Sequence, residues 1–418
     1  MQTSVMSRSS RLSLERYVVA VGIAAFMPLA VYVHKGLAVL LVVVALCVMA
    51  MRYRDFRWRD PIFAIFVAFA ALGVLSTMWS PNPSESLSTI ASVAVTIVLG
   101  WALVGRAYDA DADDICMWET ALIIGGVLGY GAMLIELISS GAPSAELQLW
   151  LGRRLPGNPF LGLKPGLAVG AIYFWPWALT LLRRISKYAA VVLIVITICT
   201  LSLLESGTTA TAVAIGFLFG MCAIFAGQRA IALLALTLAG LVLAAPLFFK
   251  SLGDPSQPGS NLSLLPNSAL HRVYIWRGAV DLIADRPVLG HGFDSSRMMS
   301  RGKEVERVVF LPDVPERSFF IISERIPLHP HSLMLQVWLE VGAAGACLLA
   351  LLFYTITKRA ADAAPTKRER FISFGMIGSA LTICTVGFGA WQSWWLATLF
   401  LLAMMAVSLA RPGHPGHV

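Results

Sequence analysis

Residues 329–356 read HPHSLMLQVWLEVGAAGACLLALLFYTI. Behind the two histidines runs an apolar stretch close to the ~20 residues that cross a bilayer as a helix. Pro330 disfavours helix at His329, so the helix is expected to begin near His331 or Ser332. His331 then stands at the rim of a membrane segment, and Glu340 lies ~13 Å further along it. On an ideal helix Gln336 and Glu340 share a face that His331 does not, and Trp338 falls nearly beneath His331. The stretch raises two questions: whether the whole chain is built this way, and what an imidazole and a carboxylate do at those two depths.

Composition answers the first. The chain has 418 residues, of which 57% are hydrophobic and 13% charged. A soluble domain is nearer a quarter charged. Twelve apolar runs fall at roughly 17–34, 36–51, 61–79, 87–105, 117–139, 165–182, 188–204, 208–226, 230–249, 332–356, 371–389 and 391–410. Alternating strand patterns are absent, and lipid requires every backbone group to be satisfied within the chain. The expected class is therefore all-α, a polytopic membrane protein of about twelve transmembrane helices. The first run resembles a signal peptide, but another follows after only His34 and Lys35 with no convincing cleavage site. It is read as an uncleaved first span.

The formal charge of +8 reports topology here and not nucleic acid. With a cytoplasmic N-terminus, eighteen Lys and Arg lie in inner segments. Only Lys35, Arg153, Arg154 and Lys164 lie in short outer ones. This bias places both termini inside and the long segment 250–331 outside, since long loops are exempt from the rule. The chain divides into residues 1–249 with nine spans, an outer loop over 250–331, and residues 332–418 with three spans.

The outer loop opens with SLGDPSQPGSNLSLLPNS at 251–268, which is irregular by composition. A helix is expected after Ser268 and before Pro287. Arg272, Trp276, Ala279, Ile283 and Arg286 share one face of it, a pattern suited to the outer interface. The six cysteines show neither zinc spacing nor a disulfide framework. No Walker motif, dinucleotide fingerprint or serine elbow is present, so no nucleotide or redox cofactor is called for.

Four groups of residues carry candidate chemistry. His331 has the pKa of a general base at neutral pH; the bland alternative is an interfacial histidine. His329 and His331 make a weak metal pair, because no third ligand lies nearby in the sequence. An acid as deep as Glu340 is a functional candidate, and the alternative is a structural bond from Glu340 and Gln336 to neighbouring helices. The outer arginines Arg153, Arg154, Arg272, Arg277 and Arg286 suit phosphate, which guanidinium grips bidentately. Lipid headgroups and lipid-linked diphosphates are the phosphates of a membrane surface.

HPHSLMLQVWLEVGAAG at 329–345 resembles the signature of the O-antigen ligase and polymerase family of bacterial envelope membrane proteins, in which a His is followed by Leu-Gln and Glu-x-Gly. Arg272-x-x-x-Trp276 with PVLGHGF at 287–293, and STMWSPNPSESL at 76–87, are similar to further elements of that family. The resemblance implies transfer of a glycan from undecaprenyl diphosphate to an acceptor hydroxyl on the periplasmic side of the inner membrane, with neither metal nor nucleotide. The acceptor is lipid A core in the ligases and a second lipid-linked glycan in the polymerases. It further implies that His331 is the essential histidine and that Arg272 contacts diphosphate. His329, Ser332, Gln336, Glu340 and Trp276 are read as supporting residues. Ser332 stands where the family usually has Asn. Many relatives carry Ser-Arg in the turn between spans seven and eight, where this chain reads LESGTTATA at 204–212. Arg153 or Arg154 is the expected replacement. A transporter is the alternative from another class; it predicts broken helices, and Pro176 with the glycines of span six permits one.

Overall fold

The computed structural model describes residues 8–52, 56–153, 157–204, 207–299 and 303–410. Helices dominate: α1 (Arg8–Tyr32), α2 (Gly36–Arg52), α3 (Pro61–Ser76), α4 (Pro83–Tyr108), α5 (Ala112–Ile138), α6 (Ala142–Trp150), α7 (Lys164–Arg184), α8 (Lys187–Leu203), α9 (Gly207–Phe225), α10 (Gln228–Ser251), α11 (Asn267–Asp285), α12 (Leu333–Asp362), α13 (Lys367–Val386) and α14 (Ser393–Leu409). Local chemistry sets many of the ends. Asp60 and Asn82 cap α3 and α4, each followed by a proline at the first helical position. Asp111 and Thr366 form capping boxes on α5 and α13.

Each of the twelve expected spans falls on a helix. Among the described residues eight helices are long and apolar enough to cross a membrane, and three shorter apolar ones accompany them: Gly36–Met51, Lys187–Leu203 and Ser393–Leu409. The chain is thus a multi-pass membrane protein, with eight spans supported by length and composition. Large apolar side chains face outward along these helices, among them Leu46, Val95, Val191, Leu218 and Leu247. Such a surface needs lipid against it.

The helix α7 is the central post. Every residue from Gly166 to Leu181 is buried. It packs on α1, α5, α8, α9 and α13. Pro176 does not break it; the helix runs on, and the Thr180 hydroxyl takes up the Pro176 carbonyl at 2.9 Å. The helix that does break is α12, at Gly342.

Between α10 and α12 the all-helical reading needs two corrections. Strands β1 (Val305–Phe310) and β2 (Phe319–Glu324) pair antiparallel. Only Val308 and Phe310 of β1 are buried, too short an alternation to stand out in the sequence. The helix α11 buries two faces instead of one. Trp276, Ala279 and Ile283 join Phe249 of α10 and Leu335 and Leu339 of α12, while Tyr274 and Ile275 meet Val308 and Phe310. Protein, not headgroup, covers its apolar side. Arg286 lies just past the helix end and is exposed.

Candidate active site

Gly342 adopts φ 62° and ψ −159°, which frees four backbone groups of α12. The amides of Ala343 and Ala344 turn to the carbonyls of Pro287 and Val288, at 2.9 and 3.4 Å. The carbonyls of Leu339 and Glu340 accept instead from the amides of His291 and Gly292, at 2.9 and 2.8 Å. Two helical bonds are exchanged for four bonds to the segment 287–292, so the break costs no hydrogen bonding. Glycine is obligatory on both sides. A Cβ on Gly342 would lie 2.3 Å from the Val288 oxygen, and one on Gly290 (φ 66°) would lie 2.4 Å from the Glu340 carbonyl carbon.

The Glu340 carboxylate sits at this joint, fully buried. Four donors surround it: Gln336 Nε2 at 3.0 Å, the Ser296 hydroxyl at 2.8 Å, the Asp294 amide at 2.7 Å and the Trp391 indole. The other end of Gln336 accepts from the Ala390 amide at 2.8 Å. Phe293 stacks on Trp391, and its backbone is clasped by Ser76 and Ser86, at 3.0 and 2.6 Å. Donors from 294–296 and from Trp391 thereby meet Gln336 on one acid, and 76–86 is tied to the same joint through Phe293. A carboxylate with every lone pair occupied has no capacity left for substrate. This geometry gives Glu340 and Gln336 the hydrogen bonds that their structural alternative expects.

At the mouth of α12 the arrangement differs. Ser332 caps the helix, accepting from the Leu335 amide. His331 precedes the cap with φ 53°, a region L-residues seldom enter. Its amide donates to Nδ1 of His329 at 3.1 Å. Its own Nδ1 lies 2.9 Å from the Gly387 carbonyl. A carbonyl only accepts, so Nδ1 carries the proton and Nε2 keeps its lone pair. Nε2 has no partner among the described residues. Because His331 is off the helix, the ideal-helix projection fails. His331 and Gln336 bond the same turn between α13 and α14, through Gly387 and Ala390, while Trp338 reaches the Val242 carbonyl on α10. Burial keeps the His331 imidazole below its ordinary pKa of 6.5, with Arg272 and His271 adding to the effect and the Gly387 bond opposing it. His329, 7% exposed, is pushed down to about 3, first by burial and then by its neighbours His331, Arg297 and Lys303, which oppose a second positive charge beside them. Both histidines are neutral at pH 7.

Of the sequence candidates, Arg272 joins this group. It is half-buried, lies close enough to act on the His331 charge, and has no hydrogen-bond or ion-pair partner among the described residues. Desolvation lowers its pKa without discharging it. Trp276, one turn on, packs on Phe249 and holds up the helix. Arg277 does not join the group: it is tied to the Lys250 carbonyl at 2.9 Å and faces Asp281. Arg153 is exposed and acts on His34, whose ring rests on Trp394. Arg154 lies outside the described residues. Among the described residues no group of three or more His, Cys, Asp and Glu is placed to hold a metal ion. Sequence reasoning missed Asp294, Ser296, Arg297 and Trp391. They follow no period; only their position just after PVLGHGF, or beside the turn at 387–391, marks them.

Fold and site together define a multi-pass helical membrane protein with a neutral histidine at the mouth of a broken helix and, near it, an arginine without a partner among the described residues. Residues 189–350, which include all of α11, the strand pair, both histidines and Glu340, match the family model described as O-antigen ligase. A Rickettsia conorii protein named as a candidate polysaccharide ligase is 24% identical over 348 residues, covering 83% of this chain and 80% of its own length. Its counterpart in Rickettsia prowazekii is 24% identical over 360 residues, covering 84% and 83%. A third, from Rickettsia bellii, is 25% identical over 348 residues, covering 82% and 79%. The chain is thus similar to the O-antigen ligase family over residues 189–350 and to these relatives over about four-fifths of its length, which supports an O-antigen ligase-like family.

Proposed function

We propose that the protein is a ligase-type glycosyltransferase of the bacterial inner membrane, moving a glycan from undecaprenyl diphosphate to a hydroxyl of lipid A core. In this reading twelve helices span the membrane, both termini are cytoplasmic, and the segment 250–331 faces the periplasm as a unit between two helical blocks. One observation carries the chemistry: an imidazole whose Nε2 has no partner among the described residues lies within electrostatic reach of a half-buried guanidinium that has none among them either.

His331 Nε2 accepts the proton of the acceptor hydroxyl as its oxygen bonds the anomeric carbon. The bond from that carbon to the diphosphate oxygen breaks, and undecaprenyl diphosphate leaves with the electron pair. Arg272 stabilises the charge that develops there, without nucleotide or metal. The donor's own diphosphate linkage supplies the driving force, and a single displacement inverts the anomeric centre. Removing a general base costs about 10²–10⁴ in rate, and removing a preorganised cation about 10²–10³.

The test is a cell whose only copy is His331→Ala, with surface and lipid-linked glycans separated by size. Long chains stranded on the carrier, with bare lipid A core, are expected. Surface glycan reduced to one repeat unit would make the protein a polymerase that joins two lipid-linked glycans. A wild-type pattern would remove the histidine from the mechanism. Arg272→Ala is expected to reproduce the His331→Ala pattern, whereas Arg277→Ala leaves the glycans unchanged.

A further inference from the structure

The turn between α8 and α9 carries no arginine, and of the two outer-loop candidates Arg153 lies by His34 while Arg154 is not described. A better-placed cation stands at the end of the segment that seals the α12 break. Arg297 ends the short helical turn Ser295–Arg297. That turn is fastened to the histidine segment directly: the Ser296 hydroxyl lies 3.3 Å from the carbonyl of Leu328, the residue before His329, and 2.8 Å from Glu340. Arg297 is close enough to the pair to act on the charge of His329, whose ring lies 4.4 Å from that of His331.

The guanidinium of Arg297 is held from one side only. Its Nε sits 3.0 Å from Asp294 Oδ1, and its side chain is 42% exposed while that of Asp294 is 2% exposed. The other oxygen of Asp294 accepts from Thr89 at 2.8 Å, and its amide rests on Glu340. Nε is thus spent on a carboxylate that cannot move, and both terminal nitrogens have no partner among the described residues. An arginine built only to neutralise Asp294 would bring its fork onto both oxygens. Here one oxygen is given to Thr89, and the terminal nitrogens of a 42% exposed side chain remain without a partner among the described residues, within electrostatic reach of His329.

We propose that Arg297 is the second diphosphate-binding arginine of this site, taking the place of the one absent from the turn between α8 and α9, with Asp294 as the residue that positions it. The inference rests on the glycosyltransferase reading, and it assigns two cations to the leaving group. Arg272 approaches from α11, and Arg297 from the joint that seals α12. Two phosphates then meet two guanidinium groups, which distinguishes a lipid diphosphate from a lipid monophosphate. It also makes the Glu340 joint a positioning device, because Asp294 hangs from it.

The test uses the full-length protein in nanodiscs, with undecaprenyl diphosphate and undecaprenyl phosphate as probes. Arg297→Ala is expected to weaken diphosphate binding ~10-fold or more, the loss of one charge-assisted contact, and monophosphate binding less than ~3-fold. Arg297→Lys restores part of the difference. Asp294→Asn raises KM with kcat little changed, a split that a merely structural role does not produce. His331→Ala binds both probes as the wild type does and fails only in transfer. If Arg297→Ala melts as the wild type does and keeps its preference for diphosphate, while Arg272→Ala loses affinity, Arg297 is no part of the site and the transferase reading stands. Should the wild type bind neither probe, both fall. If Arg297→Ala does not fold, Arg297→Gln, which retains a donor for Asp294, is read in its place.

Discussion

The two ends of the helical bundle treat charge in opposite ways. At the end where α1, α5 and α13 begin, arginines are matched to acids. Arg106 is 4% exposed and lies between Glu15 and Asp114; Arg16 bridges Asp111, Asp113 and Asp114. Arg183 joins Glu119 to Glu369, Arg184 also holds Glu119, and Arg359 holds Asp60. At the other end Arg272 is half-buried with no partner among the described residues, and Arg297 offers a free edge. Burying an arginine without an acid costs several kcal/mol unless something else supplies the negative charge. The paired end fastens helices together; at the other end Arg277, Arg325 and Lys303 also meet acids, and Arg272 alone of the half-buried cations named has no partner among the described residues, as the proposed anion site requires.

That contrast is sharpest at Arg106. Arg106→Met would leave Glu15 and Asp114 buried beside too little positive charge, a loss of about 3–5 kcal/mol. The expected outcome is a large drop in the melting temperature of the detergent-solubilised protein, whereas Arg272→Ala melts close to wild type. Equal melting of the two variants would erase the distinction between the ends.

The break in α12 is the next place to press. Gly342→Ala meets the Val288 oxygen and a backbone region that alanine rarely adopts. The expected cost is about 1–3 kcal/mol. Because 287–297 hangs on this joint, transfer should also fall. A variant that melts lower yet transfers at the wild-type rate would show that the joint and the histidine mouth are independent.

Within the first pH unit below 6.5, the smallest effect is the response to pH. His329 binds its proton less readily when folded than when unfolded, so acid favours the unfolded chain. Stability is expected to decline as pH falls from about 6.5 toward about 3, by at most ~1.4 kcal/mol per pH unit from this group. His331 is likewise held below 6.5, so transfer should persist below pH 6.5 and fail only when Nε2 takes a proton. A profile that collapses at or above pH 6.5 would contradict a neutral, buried base. His329→Asn should flatten the stability decline.

Much of the fold was legible in the sequence, because lipid leaves so few options. Apolar runs near twenty residues admit helices and little else, and all twelve runs lie on helices. The helix start behind His331 followed from Pro330 and Ser332. The strand pair was not legible, since its pattern spans only a few residues. The two-sided burial of α11 was not legible either, because one apolar face looks alike whether lipid or protein covers it.

The site divides along the same line. The sequence by itself determined the helical membrane class, the histidine at the mouth of α12, the arginine on α11 and the acid within α12. Each is a local pattern in which residue type and spacing carry the information. Only the tertiary structure decided which atoms were spent and which were free. It broke α12 at Gly342, surrounded Glu340 with donors from its own helix and two distant stretches, tied Arg277 to a backbone carbonyl, and left Arg272 and His331 Nε2 without a partner among the described residues. Hydrogen-bond capacity is used up by partners brought together in space, and no spacing along the chain records which partners those are.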